Sequence, residues 1–252
     1  MGSARGPGGL RSAVAAALLT LVVLTVAAAA FAASPPDLVQ GYLFAKGKLA
    51  PLHANVTYQA SKLPIPFRVT LPSAGWGGTQ WKANDWAPDE IAKRHLHCPL
   101  VCKPPYFGWA VIGQPPQRAG VPHGIVLVLA GYSHTPGVAA TVNSLRTRGH
   151  GFTTAATSRV KVGGFRGVQF DGQIVAAEHT FIPFSPRTHA AKSFPDGIAE
   201  HGAGHGFRFV VLDVRGKTVV IFIGTEALDS TRFAAFLDDA MTVVGSFRFP
   251  AG

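Results

Sequence analysis

The sequence predicts an α+β domain in which an antiparallel sheet carries helices packed on its faces. Three observations lead there. Phe207–Val214 and Lys217–Gly224 read as apolar strands turned at Arg215-Gly216, and alternation puts Phe207, Phe209 and Val211 on one face and Val210, Leu212 and Val214 on the other. Both faces of that hairpin therefore need cover. A helix comes next, started by Asp229 or Ser230 and ended by Gly245, with Phe233, Phe236, Leu237, Ala240, Met241 and Val244 on one stripe. Upstream, strands at Ser158–Val162 and Gly167–Ala177 join at Gly163-Gly164, where glycine tolerates the positive φ of a tight turn.

Taken in order, the chain begins with Arg5 and Arg11 ahead of an uncharged apolar run from Ser12 to Ala33, with a small-x-small site at Ala30-Phe31-Ala32. That is the order of parts in a secretory signal peptide. The run approaches the roughly 20 residues that cross a bilayer, so a retained membrane anchor at residues 12–33 is the alternative. Either reading exports the downstream domain to the extracellular side or the cell envelope, because the arginines hold the N-terminus in the cytoplasm. Residues 34–61, broken by Pro35, Pro36 and Pro51, read as a linker or irregular lead-in with one short strand near Val56–Gln59. Residues 62–252 read as a single α+β domain.

Within it, Pro66–Leu71 alternates apolar with polar, as a half-buried strand does. Gly75-Trp76-Gly77-Gly78 is expected to turn. Trp76, Trp81 and Trp86 recur every five residues, a spacing that fits neither a helix face nor a strand face. They read as aromatic plugs over one end of the core, with a ligand-stacking platform as the functional alternative. Asp89 would cap a short helix, and Tyr106–Ile112 and Gly124–Ala130 are strands. Thr135 and Pro136 then open a helix with Val138, Val142 and Leu145 on one face, closed by Gly149. Residues 183–206 form a long polar loop, the kind of segment in which binding groups concentrate.

The formal charge is +10, falling to +8 if Arg5 and Arg11 leave with residues 1–33. No extended run of Lys/Arg accompanies it, which argues against nucleic acid and for scattered, solubilising charge. Binding to anionic lipid or polymer is the competing reading of the same excess. Cys98 and Cys102 are the only cysteines, and in an exported chain they predict a disulfide closing a short loop. His95 and His97 beside them, and His201 and His205 in the long loop, are the candidate metal ligands, with zinc as the ion that takes nitrogen and sulfur. Their spacing departs from H-E-x-x-H, because Glu200 precedes His201. No G-x-S-x-G elbow and no phosphate-binding glycine loop is present, so no catalytic residue is nominated.

The order of elements resembles the PsbP-like domains, a fold that also occurs in exported envelope proteins of GC-rich bacteria. The residues that carry the resemblance are Leu71-Pro72 before a Gly-Trp pair, the Val162–Gly167 turn, and a terminal helix running into Val244-Gly245-Ser246-Phe247-Arg248-Phe249. The resemblance implies an antiparallel sheet sandwiched by helices and a partner- or ligand-binding role. It brings no catalytic residues, and the Trp/Cys segment at about 75–107 would be an insertion in it. The resulting expectation is an exported, non-enzymatic envelope domain that binds a protein partner or small ligand. The alternatives are a metal-binding protein or metal-dependent hydrolase using the loop histidines, and a basic surface protein.

Overall fold

The computed structural model describes residues 34–39, 49–82, 107–114, 124–131, 137–147, 150–176, 205–225 and 230–250. Its strands are β1 (Ala50–Leu52), β2 (Thr57–Ala60), β3 (Phe67–Thr70), β4 (Trp76–Lys82), β5 (Phe107–Gly113), β6 (Gly124–Gly131), β7 (Phe152–Thr154), β8 (Ser158–Val162), β9 (Phe165–Ile174), β10 (Gly206–Val214) and β11 (Lys217–Thr225). Helix α1 (Val138–Thr147) follows β6 and helix α2 (Ser230–Gly245) follows β11. Nine strands form one antiparallel sheet in the order β1-β4-β5-β6-β11-β10-β9, with β7 and β8 sharing the outer edge of β9. β2 and β3 make a separate pair. The predicted fold class is the observed one.

The alternation read from β10 sorts the sheet's side chains into two cores. Val210, Leu212, Ile221 and Ile223 share one with Phe236, Ala240, Val243 and Val244 of α2 and with Phe67 and Val69 of β3. Phe207, Phe209, Val211, Val220 and Phe222 share the other with Val142 and Leu145 of α1. Each large side chain so buried stabilises the fold by roughly 1.5–3 kcal/mol. The sheet is thus covered on both sides, by α2 and the β2–β3 pair on one and by α1 on the other. The long helix can approach because small residues lie beneath its rings. A Cβ added at Gly124 would stand 2.5 Å from the Phe236 ring, and one at Gly206 the same distance from Phe233.

Several local expectations differ. Trp76-Gly77-Gly78 does not turn; the reversal is at Gly75, with φ of 89°, and the next residues enter β4. The glycines there admit close neighbours, since a Cβ at Gly77 would meet Leu49 at 2.7 Å and one at Gly78 would meet Leu52 at 2.8 Å. β4 pairs with β1 and β5, so the first residues of the segment expected as an insertion belong to the main sheet. The expected irregular lead-in also contributes structure. Leu38 is buried, its N–H donates to the Gln59 carbonyl at 2.8 Å, and the Gln59 N–H donates to the Pro36 carbonyl at 2.9 Å. Buried Gln80 holds the same stretch down: its Nε2 donates to the Leu38 carbonyl at 2.6 Å while its Oε1 accepts from Lys62 N at 2.8 Å. Residues 36–252 accordingly form one compact unit containing both cores.

The expected closing strand, Ser246–Phe249, is reduced to one antiparallel bridge between Arg248 and Arg68. The reason is local. Ser246 Oγ accepts from the Thr70 N–H at 3.0 Å, taking the donor that a longer ladder would use. Phe247 and Phe249 are nevertheless buried, with Phe247 4.6 Å from Phe67 between ring centroids. The apolar run at 12–33, the helix near Asp89, the Cys98–Cys102 pair and most of the 183–206 loop lie outside the described residues.

The β8–β9 turn supplies a test of this packing. Gly163 and Gly164 both have positive φ, 57° and 89°, so alanine at either is strained by about 1–2 kcal/mol. Only at Gly163 would the new Cβ also collide, 2.8 Å from the Phe249 ring and 2.9 Å from the Phe247 carbonyl. Urea unfolding should show Gly163→Ala costing about 1–3 kcal/mol more than Gly164→Ala. Equal losses would mean that the C-terminal residues do not pack under the turn.

Candidate functional site

An open groove of about 620 Å³ runs between α1 and the outer strands of the sheet. Its helical wall is Val138, Ala139, Val142, Asn143, Arg146 and Thr147, and its sheet wall is Thr154, Thr157 and Val168. The helix is seated by Thr141, Val142, Ser144 and Leu145, all buried. Its remaining face lines the groove or meets solvent. Arg146 lies in the last turn, where the partial negative charge of the helix end favours a cation. Its Nε donates to Thr154 Oγ1 at 3.2 Å and so ties the end of α1 to β7. The lining combines an apolar floor with hydroxyl, amide and guanidinium groups, a combination suited to holding a ligand by shape and hydrogen bonding.

Beside the groove, the β8–β9 hairpin presents a row of cations. Val160 and Val162 pack toward the α2 side, so alternation turns Arg159 and Lys161 toward the α1 side. The register sets Arg159 opposite Val168 and Lys161 opposite Arg166. All three basic residues are exposed, and none has an ion-pair or hydrogen-bond partner among the described residues.

The sequence-predicted candidates that fall among the described residues, Trp76, Trp81 and His205, are not in the groove lining. Trp76 is sealed in the core, 3% exposed, with its ring 6.1 Å from Phe236 and its Nε1 donating to Ser73 Oγ at 3.2 Å. Trp81 is a residue of β4 opposite Trp109. Trp86, His95, His97, Cys98, Cys102 and His201 lie outside the described residues. His205 immediately precedes β10, half-buried, and its carbonyl accepts from Ile174 N at 2.9 Å. It is not part of the groove lining, and among the described residues no three His, Cys, Asp or Glu side chains cluster to hold a metal. No helix among the described residues is long and apolar enough to cross a membrane.

On the α2 side, Arg208 and Asp171 form a bidentate pair at 2.6 and 2.8 Å. The hydrogen bond to Asp171 raises the guanidinium pKa, against an opposing effect of burial. This pair joins neighbouring strands at directly opposed positions and is structural in character. No sequence motif marks the groove or its cations. Their signal was the hairpin register, which a two-residue turn at Gly163-Gly164 already implies.

No family model matches the chain, and no curated protein matches it. Among solved structures it is similar to the cyanobacterial PsbP protein CyanoP of Synechocystis sp. PCC 6803, at 12% identity and a TM-score of 0.41 over 79% of this chain and 94% of that one. It is also similar to LpqN, a protein involved in cell envelope biogenesis of Mycobacterium tuberculosis, at 14% identity and a TM-score of 0.27 over 81% of this chain and 91% of that one. At such identities the likeness concerns the arrangement of strands and helices alone.

Burial lowers the pKa of His205 from its ordinary value. The unfolded chain therefore takes up this proton at a higher pH than the folded one, and acidification below about pH 6.5 shifts the balance toward unfolding. Well above that value both states are neutral and the residue contributes no pH dependence. Replacing His205 by Gln should reduce the fall in Tm between about pH 7.5 and about pH 5.5. Parallel Tm curves for the two proteins would show that His205 is not desolvated.

Proposed function

We propose that this chain is an exported, non-enzymatic domain of the cell envelope that binds a small ligand or a partner segment in the groove between α1 and β7–β9. The observation that carries the reading is the composition of that groove: Val138, Val142 and Val168 offer apolar contact, while Asn143, Arg146, Thr147, Thr154 and Thr157 offer hydrogen bonds. Such a lining recognises a ligand without supplying a nucleophile and base in reach of one another. Placement at the envelope rests on the arginines and apolar run that open the sequence.

The test is occupancy. Fragments screened by amide chemical shifts should perturb residues of α1 and of β7–β9 together, and Ala139→Trp, which places an indole at the exposed rim, should abolish those shifts while leaving Tm within a few degrees. Shifts scattered over the surface, or unaffected by Ala139→Trp, would reject the groove as the binding site.

A further inference from the structure

We propose that the α1-side face of the β8–β9 hairpin docks on an anionic phospholipid surface, with Lys161 and Arg166 at its centre and Arg159 and Arg146 at its margins. The inference rests on the binding role proposed above and names what lies against the face beside the groove.

Lys161 and Arg166 are directly opposed across an antiparallel pair, which sets their Cβ atoms about 5 Å apart, and like charges so placed oppose folding. Arg159 stands two residues along on the same face, adding a third cation within about 7 Å. Among the described residues one acid shares that face and offsets part of this charge. Asp213, the acid on the neighbouring part of that sheet face, engages the turn amide of Gly216 through Oδ1 at 2.7 Å. Asp171 is on the other face, held by Arg208. Three exposed cations against one acid leave a local positive excess, which is satisfied when anions arrive from outside.

The other acids of the described residues, Asp37, Asp238 and Asp239, belong to the opposite side of the sheet, on the stretch paired with β2 and on α2. Among the described residues, four of the five acids thus lie away from the face that carries Lys161 and Arg166. The cations are exposed on extended strands, an arrangement that suits a plane of headgroups. If the chain is exported as proposed, a bilayer is the first polyanion it meets.

The experiment uses the compact unit of residues 36–252, which holds the whole sheet and both cores, with circular dichroism to confirm that each variant folds. Co-sedimentation with vesicles of phosphatidylcholine and phosphatidylglycerol should exceed that with phosphatidylcholine alone and fall steeply as salt rises. Lys161→Gln with Arg166→Gln should weaken binding roughly 30-fold, from about 1 kcal/mol per cation at the surface, and should leave Tm unchanged or raised because the repulsion is gone. Arg68→Gln with Arg232→Gln, the same charge removed from the opposite side, should weaken it no more than about threefold. Equal losses in the two pairs, or equal binding to neutral vesicles, would overturn the proposal. Displacement by inorganic phosphate at matched ionic strength would also overturn it and assign the face to a small phosphate ligand. Failure with the fragment shifts at α1 intact would refute the lipid surface and leave the groove standing.

Discussion

The β10–β11 pair is apolar on both faces, and the rest of the molecule is arranged to cover it. From Phe209 to Leu212 and from Val219 to Ile223 the side chains alternate between two cores without a polar face to give to water. Such a pair is unstable alone and must be central. On the α1 side five phenylalanines assemble, with Phe209 5.1 Å from Phe222 and 5.5 Å from Phe170, and Phe207 5.6 Å from both Phe209 and Phe152. On the α2 side aliphatic residues meet a helix stripe. The hairpin turn fixes which residues go where: Arg215 and Gly216 have φ of 57° and 75°, and Asp213 accepts from the Gly216 N–H. A slip of one residue would exchange every side chain between the two cores.

This constraint was legible because alternation is a local signal. The same logic gave β3, β5, β6, β8 and both helices, whose patterns repeat within a few residues. The segments that read incorrectly depend on distant partners. Gly77-Gly78 looks like a turn until Leu49 and Leu52 are placed against it. Residues 36–39 look like a linker because the side chain that binds Leu38, Gln80, lies more than forty positions away. The last residues have strand composition, and their ladder stops only because Ser246 turns its hydroxyl onto Thr70. Of the candidate site, the sequence pointed to residue types with familiar chemistry, tryptophan and histidine. Trp76 is buried in the core, and the groove is lined mainly by valines and threonines, with Ala139, Asn143 and Arg146, that no motif marks.

The cations are a different case, since the information was present and the criterion was unsuited to it. A search for runs of Lys/Arg measures adjacency along the chain. In a hairpin, adjacency in space follows register. With Gly163-Gly164 as the two-residue turn, Val162 must face Phe165 and Lys161 must face Arg166. Arg159 is then placed by alternation. A chain with scattered basic residues can therefore hold a dense local cluster, as this one does on its α1 side.

Magnitudes explain why this cluster outweighs the net charge. At physiological ionic strength the Debye length is about 8 Å, so most of the excess, spread over the surface, acts weakly at any one point. Two cations about 5 Å apart lie inside that range and act together on anything that approaches. The cost of holding them is about 0.2–1 kcal/mol, small for a domain with two apolar cores. The buried hairpin and the exposed one are complementary in this respect. The first uses register to bring apolar side chains together and supplies stability; the second uses register to bring like charges together, and the stability of the first offsets their repulsion.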